Sequence, residues 1–424
     1  MELTAVRQKD NLWAYPADWI ETSVGEYGPF VTSGSRGWAA YYSKHGDLFV
    51  RITNMDRQSI DLDLDDSRFV SLPPSETEGV RTQLREGDVI ISITADIGII
   101  SFIGNNVPSP AYINQHISLV RFPPELICSK FVAYFLAYWP TQRWFRSITD
   151  QGAKAGINLE AVRNIELVVP PTTKEQRAIA TALSDVDALL DGLDRLIAKK
   201  RDIKQAAMQQ LLTGKTRLPG FEGQWKIKRL GDGCSLITKG TTPTSIGKQF
   251  VQSGVVFVKV EALTENGEIV REQLAHIDPE THQVLKRSQL QKNDLLISIA
   301  GALGRVGIVP EHILPANTNQ ALAIVRLLKD ADFDERFLFY AIKTERIQKH
   351  FDAISVQGAQ ANLSLQQISD IPIYCPAPNE QKAIAAILGD MDAEISKLEK
   401  RRTKTRDIKQ AMMQELLTGR TRLV

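Results

Sequence analysis

The chain contains a long internal repeat. Residues 175–218 align without a gap onto residues 380–423, at an offset of 205, and 26 of the 44 aligned positions are identical. The first copy ends RDIKQAAMQQLLTGKTRL and the second ends RDIKQAMMQELLTGRTRL. Agreement over that length excludes chance, and the period is too long for a solenoid repeat. The chain is therefore one unit written twice.

The segments that precede the two copies also correspond, although more faintly. GDVIISITADIG parallels NDLLISIAGALG, PAYINQHISLVR parallels PANTNQALAIVR, and QGAKAGINLEAV parallels QGAQANLSLQQI. Trp19 and Gly34 fall opposite Trp225 and Gly240. We therefore predict globular domains over residues 1–171 and 219–376, followed by helical segments over residues 172–218 and 377–424.

Both copies of the repeat are predicted to be long helices. Apolar residues recur at steps of three and four, which is typical of a coiled-coil-like seam. They are Leu183, Val186, Leu190, Leu193 and Ile197 in the first copy, and Leu388, Met391, Ile395 and Leu398 in the second. Neither helix buries its apolar stripe alone, so we expect the two to pack on each other in antiparallel orientation.

The ends of these helices carry recognisable signals. Thr172 and Glu175 fit a capping box at the start of the first helix. Gly214 and Gly419 suit left-handed C-terminal caps. A helix of some 38 residues is roughly 57 Å long at 1.5 Å per residue, so the pair would hold the two domains at a fixed separation.

The domains themselves are expected to mix strands and helices. The runs VIISIT, ISLVRF and LLISIA, together with residues 255–260, are β-rich and bounded by Gly, Pro and Asn. Residues 131–145 and 336–351 have helical spacing of apolar residues. The predicted fold is thus α+β, with two α/β domains separated and joined by two long antiparallel coiled-coil-like helices in a pseudo-twofold repeat.

Charge is distributed unevenly along the chain. The formal net charge is +1, but residues 1–170 carry 15 basic and 20 acidic residues, and residues 219–376 carry 17 of each. The two helical segments each have a net charge of +3. If the ligand is DNA, its phosphates must meet local basic patches, because the domains have no general positive field.

Motifs of catalysis and metal binding are missing from the sequence. We find no phosphate-binding GxxxxGK[ST] loop, no HExxH, no GxSxG and no Pro-Pro-aromatic motif of amino-methyltransferases. The cysteines, Cys128, Cys234 and Cys375, are scattered and lack CxxC spacing. We therefore expect no catalytic residues, no metal and no cofactor in this chain.

The start of the sequence, MELTAVRQKDNLW, has no basic-then-apolar leader, and we expect a cytoplasmic protein.

The order of these features resembles the specificity subunit of Type I restriction-modification systems over essentially the whole chain. The resemblance rests on LISIAGALGRVGIV, ANTNQALAIVR, QGAQANLS and PAPNEQKAIAAIL, on their first-half equivalents, and on the duplicated LLTG(K/R)TRL ending. In that family each domain is a target recognition domain that reads one half of a bipartite DNA site. The paired helices set the spacing and dock two adenine-methyltransferase subunits. The methyltransferase subunits bind S-adenosylmethionine. The restriction (translocase-nuclease) subunits, which join the complex for restriction, use ATP.

This resemblance makes the divergent polar loops the candidate base-reading residues. Asn114-Gln115 and Asn319-Gln320 each have amides suited to clasp adenine bidentately. They match in both domains, however, and if the domains read different half-sites, matched residues are expected to be scaffold or phosphate contacts. Arg and Lys read guanine, and Tyr packs on sugar or the thymine methyl group. The candidates are Arg36, Tyr41, Tyr42, Lys44, His45, Arg51, Asn54, Arg57 and Lys154 in the first domain, and Lys239, Thr241, Thr242, Lys248, Gln249, Lys259 and Gln360 in the second.

The shared RDIKQA segment is the candidate surface for partner docking, because a helix seam alone does not demand identical polar residues. The candidates are Arg201, Lys204, Gln205 and Met208 in the first helix, and Arg406, Lys409, Gln410 and Met413 in the second. The basic runs around them also fit a solvated face, or contacts with phosphates of the DNA between the half-sites. Two rival functions stay open: a scaffold that tethers two domains for another ligand, and a self-sufficient DNA-modifying enzyme.

Overall fold

The computed structural model describes residues 6–9, 13–73, 75, 77–149, 156–356 and 362–423. The chain forms two compact units, the first made of Met1–Asp194 with Lys400–Val424 and the second of Arg195–Glu399. Both divisions fall inside long helices, so each unit contains one globular domain and a part of both helices.

The first unit contains two four-stranded sheets and two strand pairs. Its strands are β1 (Val6–Lys9), β2 (Trp13–Pro16), β3 (Ile20–Ser23), β4 (Phe30–Ser33), β5 (Tyr42–Ser43), β6 (Asp47–Val50), β7 (Phe69–Val70), β8 (Val89–Ser92), β9 (Ile100–Phe102), β10 (Ala111–Ile113), β11 (Ile117–Arg121) and β12 (Glu166–Val169). Its helices are α1 (Glu78–Thr82), α2 (Ser129–Ala137), α3 (Trp139–Thr149), α4 (Leu159–Arg163) and the first part of α5 (Thr173–Leu211). The main sheet has the order β4-β11-β8-β9, the second has the order β10-β6-β7-β5, and β1 pairs with β2 and β3 with β12.

The second unit follows the same plan. Its strands are β13 (Lys226–Arg229), β14 (Cys234–Lys239), β15 (Val255–Val258), β16 (Ala275–Ile277), β17 (Leu295–Ser298), β18 (Val306–Ile308), β19 (Ala316–Thr318), β20 (Leu322–Leu327) and β21 (Pro372–Cys375). Its helices are α6 (Pro279–Val284), α7 (Glu335–Ile342), α8 (Glu345–Val356), α9 (Leu365–Ser369) and the first part of α10 (Pro378–Leu416), the rest of which belongs to the first unit. The main sheet, β14-β20-β17-β18, matches that of the first unit strand for strand. The parallel pair β15–β19 matches β6–β10.

The central strand of the main sheet explains why the predicted strand VIISIT is almost wholly apolar. Val89 and Ile91 belong to the core that also contains α2 and the start of α5, whereas Ile90 belongs to the core shared with the second sheet. Successive side chains of a strand point to opposite faces, so a strand covered on both sides must be apolar throughout. The β-strand predictions for VIISIT, ISLVRF, LLISIA and residues 255–260 are confirmed by β8, β11, β17 and β15.

The predicted helices over residues 131–145 and 336–351 are each two helices, and that part of the prediction is wrong. In the first unit α2 ends before Tyr138 and α3 begins at Trp139, next to Pro140, whose ring has no N–H for a continuing helix. In the second unit the break falls at Lys343 and Thr344, where the Thr344 hydroxyl donates to the Ala341 carbonyl at 2.7 Å. That hydrogen bond gives a local alternative to the helical ladder.

Within each unit the two long helices run antiparallel. In the first unit, ion pairs join Asp187 to Lys409 at 2.6 Å, and Asp194 to Arg402. In the second, Lys200 pairs with Glu394 at 2.7 Å, and Lys204 pairs with Asp392, so that residue numbers rise along one helix as they fall along the other. The predicted seam residues Leu183, Leu193, Ile197, Leu388 and Ile395 are buried.

The helix-end predictions hold with one correction. The Glu175 N–H donates to the Thr172 hydroxyl at 3.3 Å, as expected for an N-cap, and Gly214 and Gly419 have left-handed φ values of 71° and 68°. The Glu175 carboxylate, however, does not complete a capping box. It accepts two hydrogen bonds from the Arg422 guanidinium at the end of the chain, one of them at 2.7 Å.

Candidate nucleic-acid interface

In each domain, connecting segments meet at one end of the main sheet, which we call the loop end. In the first unit it comprises residues 33–37, 93–98 and 114–116, because β4 and β8 finish where β11 begins. In the second unit it comprises residues 239–243, 299–304 and 319–321. Some residues of these segments, such as Ile93, Ile97 and Ile299, anchor them in the cores, whereas others are exposed. Exposed loops on a rigid scaffold are the usual position of binding residues.

The loop end is built on a close approach of two backbones, which explains a matched pair of glycines. A Cβ atom on Gly34 would lie 2.0 Å from the Asn114 carbonyl oxygen, and one on Gly240 would lie 2.0 Å from the Thr318 carbonyl oxygen. Asn114 also accepts a hydrogen bond from the His116 N–H at 3.1 Å through its side chain. These positions match in both domains because they shape the loops.

The matched Asn319 behaves like Asn114. Its side-chain oxygen accepts from the Ala321 N–H at 3.2 Å, as Asn114 does with His116. The neighbouring Gln320 accepts a hydrogen bond from the Thr242 hydroxyl. The structural role expected for the Asn-Gln pairs is thus supported by their contacts.

A second matched feature is an ion pair at the end of the main sheet opposite the loop end. Arg121 donates to both carboxylate oxygens of the buried Asp88 at 2.7 Å, and Arg326 does the same to the buried Asp294 at 2.7 Å. Burial raises the pKa of Asp88, and the hydrogen bonds from Arg121 oppose that effect. Two parallel N–H···O bonds fix geometry as well as charge, so the two domains share one frame.

The first-domain candidates on residues 36–45 face outward. Arg36, Lys44 and His45 are exposed, and Tyr42 is 46% exposed. Tyr41 is half-buried, with its ring 6.3 Å from that of Trp38. Base reading by these residues stays a prediction, but solvent access is present at each.

Asn54 is a correction to the set of base-reading candidates. It is 1% exposed, and its amide nitrogen donates to the carbonyls of Asp63 and Asp66 at 2.9 and 3.2 Å. Its oxygen accepts from the Arg51 N–H at 3.0 Å, while the Arg51 guanidinium binds the carboxylate and the carbonyl of Asp66. Asn54 and Arg51 hold the 51–66 loop together, and a base edge does not reach Asn54 in this conformation.

Arg57 is also engaged within the domain. Its guanidinium donates to the Gln142 side chain at 2.6 Å and to the Ile97 carbonyl at 2.8 Å, and it forms an ion pair with Asp96. These contacts clamp the 93–98 segment onto α3. The sequence offered no way to see this, because the partners are about 40 and 85 residues away.

The second-domain candidates divide in the same way. Lys239 and Gln249 are exposed. Thr241 accepts from Arg287 at 3.3 Å, Lys248 pairs with Glu280 at 2.8 Å, and the Lys259 ammonium lies 4.1 Å from the centre of the Phe250 ring. Lys154 and Gln360 lie outside the described residues.

Two of the partner-docking candidates on each helix point inward, which corrects the prediction. Lys409 is buried against Asp187, and Lys204 binds Asp392 and lies 5.6 Å from the centre of the Tyr340 ring. Met208 is buried in the second core, and Met413 packs against the first core. These residues match because they hold each helix pair to its domain.

The other docking candidates face solvent. Arg201, Gln205, Arg406 and Gln410 are exposed. Each segment also exposes an apolar residue that was not among the predicted docking residues, Ile203 at 44% exposure and Ile408 at 46%. Their place inside the identical RDIKQA strings was the signal that could have found them. We call residues 201–206 and 406–411 the repeated outer segments.

Within the described ranges, no three His, Cys, Asp or Glu side chains are grouped to hold a metal ion. In the same ranges, no helix combines the length and apolar character of a membrane span.

Comparison with known proteins identifies the family. The model of the Type I restriction modification DNA specificity domain matches residues 80–200 and 222–406, one match in each half. The matches cover more than half of the chain, and the chain belongs to this family.

Individual relatives have low sequence identity to this chain but align with most of its length. The chain is similar to the putative type I restriction enzyme MjaX specificity subunit of Methanocaldococcus jannaschii, at 25% identity over 320 residues, which is 73% of this chain and 72% of the relative. The EcoBI specificity subunit of Escherichia coli is 23% identical over 312 residues, covering 69% and 64%. Its matched part is thus less than two thirds of that relative's length.

Solved structures show the same fold over nearly the full chain. The S subunit of a Type-I restriction-modification system from M. genitalium superposes with a TM-score of 0.62 at 14% identity, covering 97% of this chain and 98% of the other. A chain from a structure describing complex assembly and conformational transition of the type I R-M system gives a TM-score of 0.55 at 18% identity, covering 96% and 99%.

Proposed function

We propose that this chain is the DNA-reading subunit of a Type I restriction-modification complex, with each domain reading one half of a bipartite site. The observation that supports this most directly is a contrast inside the repeat. The two domains share the main sheet and its Arg–Asp ion pair, whereas their loop ends carry different exposed side chains, such as Arg36 in one and Lys239 in the other. Two different half-sites require this combination.

The DNA-reading proposal is tested by changing one loop end at a time. In the complex reconstituted with its methyltransferase subunits, Arg36→Ala is expected to relax only one half of the methylated motif, and Lys239→Ala only the other. Each loss of a bidentate guanine contact lowers discrimination by about 1–3 kcal/mol. Arg85→Ala, an exposed change at the opposite end of the main sheet, is the control. DNA binding that is independent of both salt and sequence would refute the proposal and favour a scaffold.

We further propose that catalysis belongs to partner subunits and that the repeated outer segments dock two methyltransferase subunits. The outer segments are identical in sequence, and their isoleucines are exposed to nearly the same degree. Two copies of one surface suit two copies of one partner. The partners would bind S-adenosylmethionine and ATP, flip the target adenine and methylate it, while this chain positions them. The restriction subunits would bind to this complex of reader and methyltransferases. Because its target is DNA, we expect the complex to be cytoplasmic.

Native mass spectrometry tests the docking proposal by counting subunits. Ile203→Asp or Ile408→Asp alone is expected to leave one methyltransferase subunit on the chain, and the double variant is expected to leave none. Val284→Asp, at an exposed apolar residue on α6, is the matched control and should retain two. Retention of two subunits by the double variant would contradict docking on these segments.

A further inference from the structure

A matched arginine stands beside the loop end of each domain, outside the sets that the sequence singled out. Arg287 is exposed on a short 3-10 turn, Lys286–Ser288, and its Nη2 donates to the Thr241 hydroxyl at 3.3 Å. Thr241 belongs to the loop that follows β14, next to the exposed Lys239. Arg287 therefore lies where that loop meets solvent.

Arg81 occupies the same place in the first domain. It is exposed on α1, and its Nη1 donates to the Ser33 carbonyl at 2.7 Å and to the Thr32 hydroxyl. Both acceptors lie at the end of β4, the strand that matches β14. Each arginine thus touches the segment that carries its domain's candidate base readers.

The surrounding backbone confirms that the two positions are equivalent. Two residues after Arg81, Gln83 forms a bridge with Tyr112, and two residues after Arg287, Gln289 forms a bridge with Asn317. The next N–H in each case donates to the strand of the parallel pair at 2.8 Å. The arginines are therefore held by the same turn of chain in both units.

The sequence around this position has diverged while the arginine has not. The strings are VRTQLREG and KRSQLQKN, which share Arg, Gln and Leu. The Leu is buried, and the Gln carbonyl accepts a hydrogen bond from the Arg of the ion pair, Arg121 or Arg326, so both matches are explained by the frame. The arginine is exposed in both domains although most of its neighbours differ, which is the pattern expected for a contact with a ligand common to both.

We propose that Arg81 and Arg287 each bind a backbone phosphate of the DNA and thereby orient their loop ends on the duplex. This inference rests on the proposed DNA-reading function. Phosphate contacts fix register without carrying sequence information, so domains that read different bases still need the same contact. A guanidinium has five N–H donors in a planar fork, and one that touches the loop also reaches a phosphate at its rim. The first domain has a net negative charge, so it depends more than the second on a fixed cation at this point to bind a phosphate.

The test measures the salt dependence of DNA binding by the reconstituted complex. Arg287→Gln keeps a donor toward Thr241 but removes the charge, and Arg81→Gln is its counterpart. Each is expected to weaken binding to every sequence alike, by about tenfold at moderate salt, and to reduce the slope of log K against log salt by about 1. The methylated motif should stay unchanged. Arg287→Lys, which retains the charge, should keep most of the slope.

Arg85→Ala and Lys292→Ala are the matched controls. Both residues are exposed cations before the central strand, at the opposite end of the main sheet, and Lys292 already pairs with Glu311 at 2.6 Å. An unchanged slope in both Gln variants, relative to these controls, would overturn the proposal, as would a change of one half of the motif. If the unmodified complex shows no sequence-specific, salt-dependent binding, the proposed function itself has failed, which is a distinguishable result.

Discussion

The ammonium group of Lys409 lies 2.6 Å from the Asp187 carboxylate, and both side chains are only 9% exposed. The second carboxylate oxygen accepts from the Tyr134 hydroxyl at 2.7 Å, so one residue of α5 binds both α10 and α2. Burial and the Asp187 charge raise the pKa of Tyr134, which keeps its hydroxyl a donor. The second unit repeats the arrangement with Asp392, bound by Lys204 and by the Tyr340 hydroxyl.

Asp187→Asn is expected to lower the free energy of unfolding by about 3 kcal/mol, because it leaves a buried ammonium without its counter-charge. Tyr134→Phe should cost only about 1 kcal/mol, the net value of one hydrogen bond. Chemical denaturation measures both. The double variant Asp187→Leu with Lys409→Met should recover most of the loss, and a double variant as unstable as Asp187→Asn would refute this account of the pair.

Ala95→Gly is expected to stabilise the first unit by about 0.5–1 kcal/mol. Ala95 has a left-handed φ of 65°, which costs a residue with a Cβ about 1 kcal/mol, and its counterpart is Gly301 at 77°. The reverse change, Gly301→Ala, should destabilise the second unit by about 1 kcal/mol. Nothing lies within 4 Å of the added Cβ, so this cost comes from the left-handed backbone and not from a clash. Thermal unfolding compares the two. Equal signs for the two substitutions would contradict the backbone explanation.

Lys343→Met is expected to stabilise the second unit at pH 7 and to lose that advantage near pH 10. Burial, followed by the neighbouring Lys204 ammonium, lowers the pKa of Lys343 to about 8. The unfolded chain then binds more protons than the folded one from about pH 8 up to the ordinary lysine pKa of about 10.4, and stability rises with pH across that window. Met removes the charge and leaves an apolar side chain near Phe339, whose ring centre lies 4.8 Å from the Lys343 ammonium.

At pH 7 the gain from Lys343→Met should be about 1–2 kcal/mol after allowance for partial exposure. Denaturation curves between pH 6 and 10 give the dependence, with the exposed Lys329→Met as control. A gain that is constant across this range would show that packing, and not the lysine charge, causes it.

Arg422→Lys is expected to loosen the start of α5, although Arg422 lies 247 positions after Glu175, the residue that it binds there. The guanidinium holds the buried Glu175 carboxylate through two N–H groups, and lysine does not reproduce that fork. Hydrogen exchange should speed up in the first turns of α5. Arg217→Lys is the matched variant, and it should affect the first turns of α10, where Glu380 is bound in the same way. Unchanged exchange at both helix starts would contradict this role.

Much of the fold could be predicted from the sequence, because the two halves of the chain can be aligned with each other. Periodicity predicted the seam residues Leu183 and Leu388, and the glycines at 214 and 419 predicted the helix ends. The split between α2 and α3 was missed, since apolar spacing continues across Pro140. Local breaks of this kind depend on backbone hydrogen bonds that the apolar pattern does not report.

The candidate site was predicted less well than the fold. Lys204 and Lys409 looked like surface residues because their acidic partners are supplied by the other helix, almost 190 residues away in one case. Asn54 looked like a base reader because its partners are backbone carbonyls, which a sequence does not display. Arg81 and Arg287 were passed over, since only the folded loop end shows what each one touches.

The central claim is tested most directly by mapping N6-methyladenine in cells with and without this chain, while the partner methyltransferase is expressed. We expect methylation at one asymmetric, two-part motif that disappears when the chain is removed and returns when it is restored. A methylome that is the same in both cells, with the partner subunits shown to be present and active, would contradict the claim that this chain reads DNA for them.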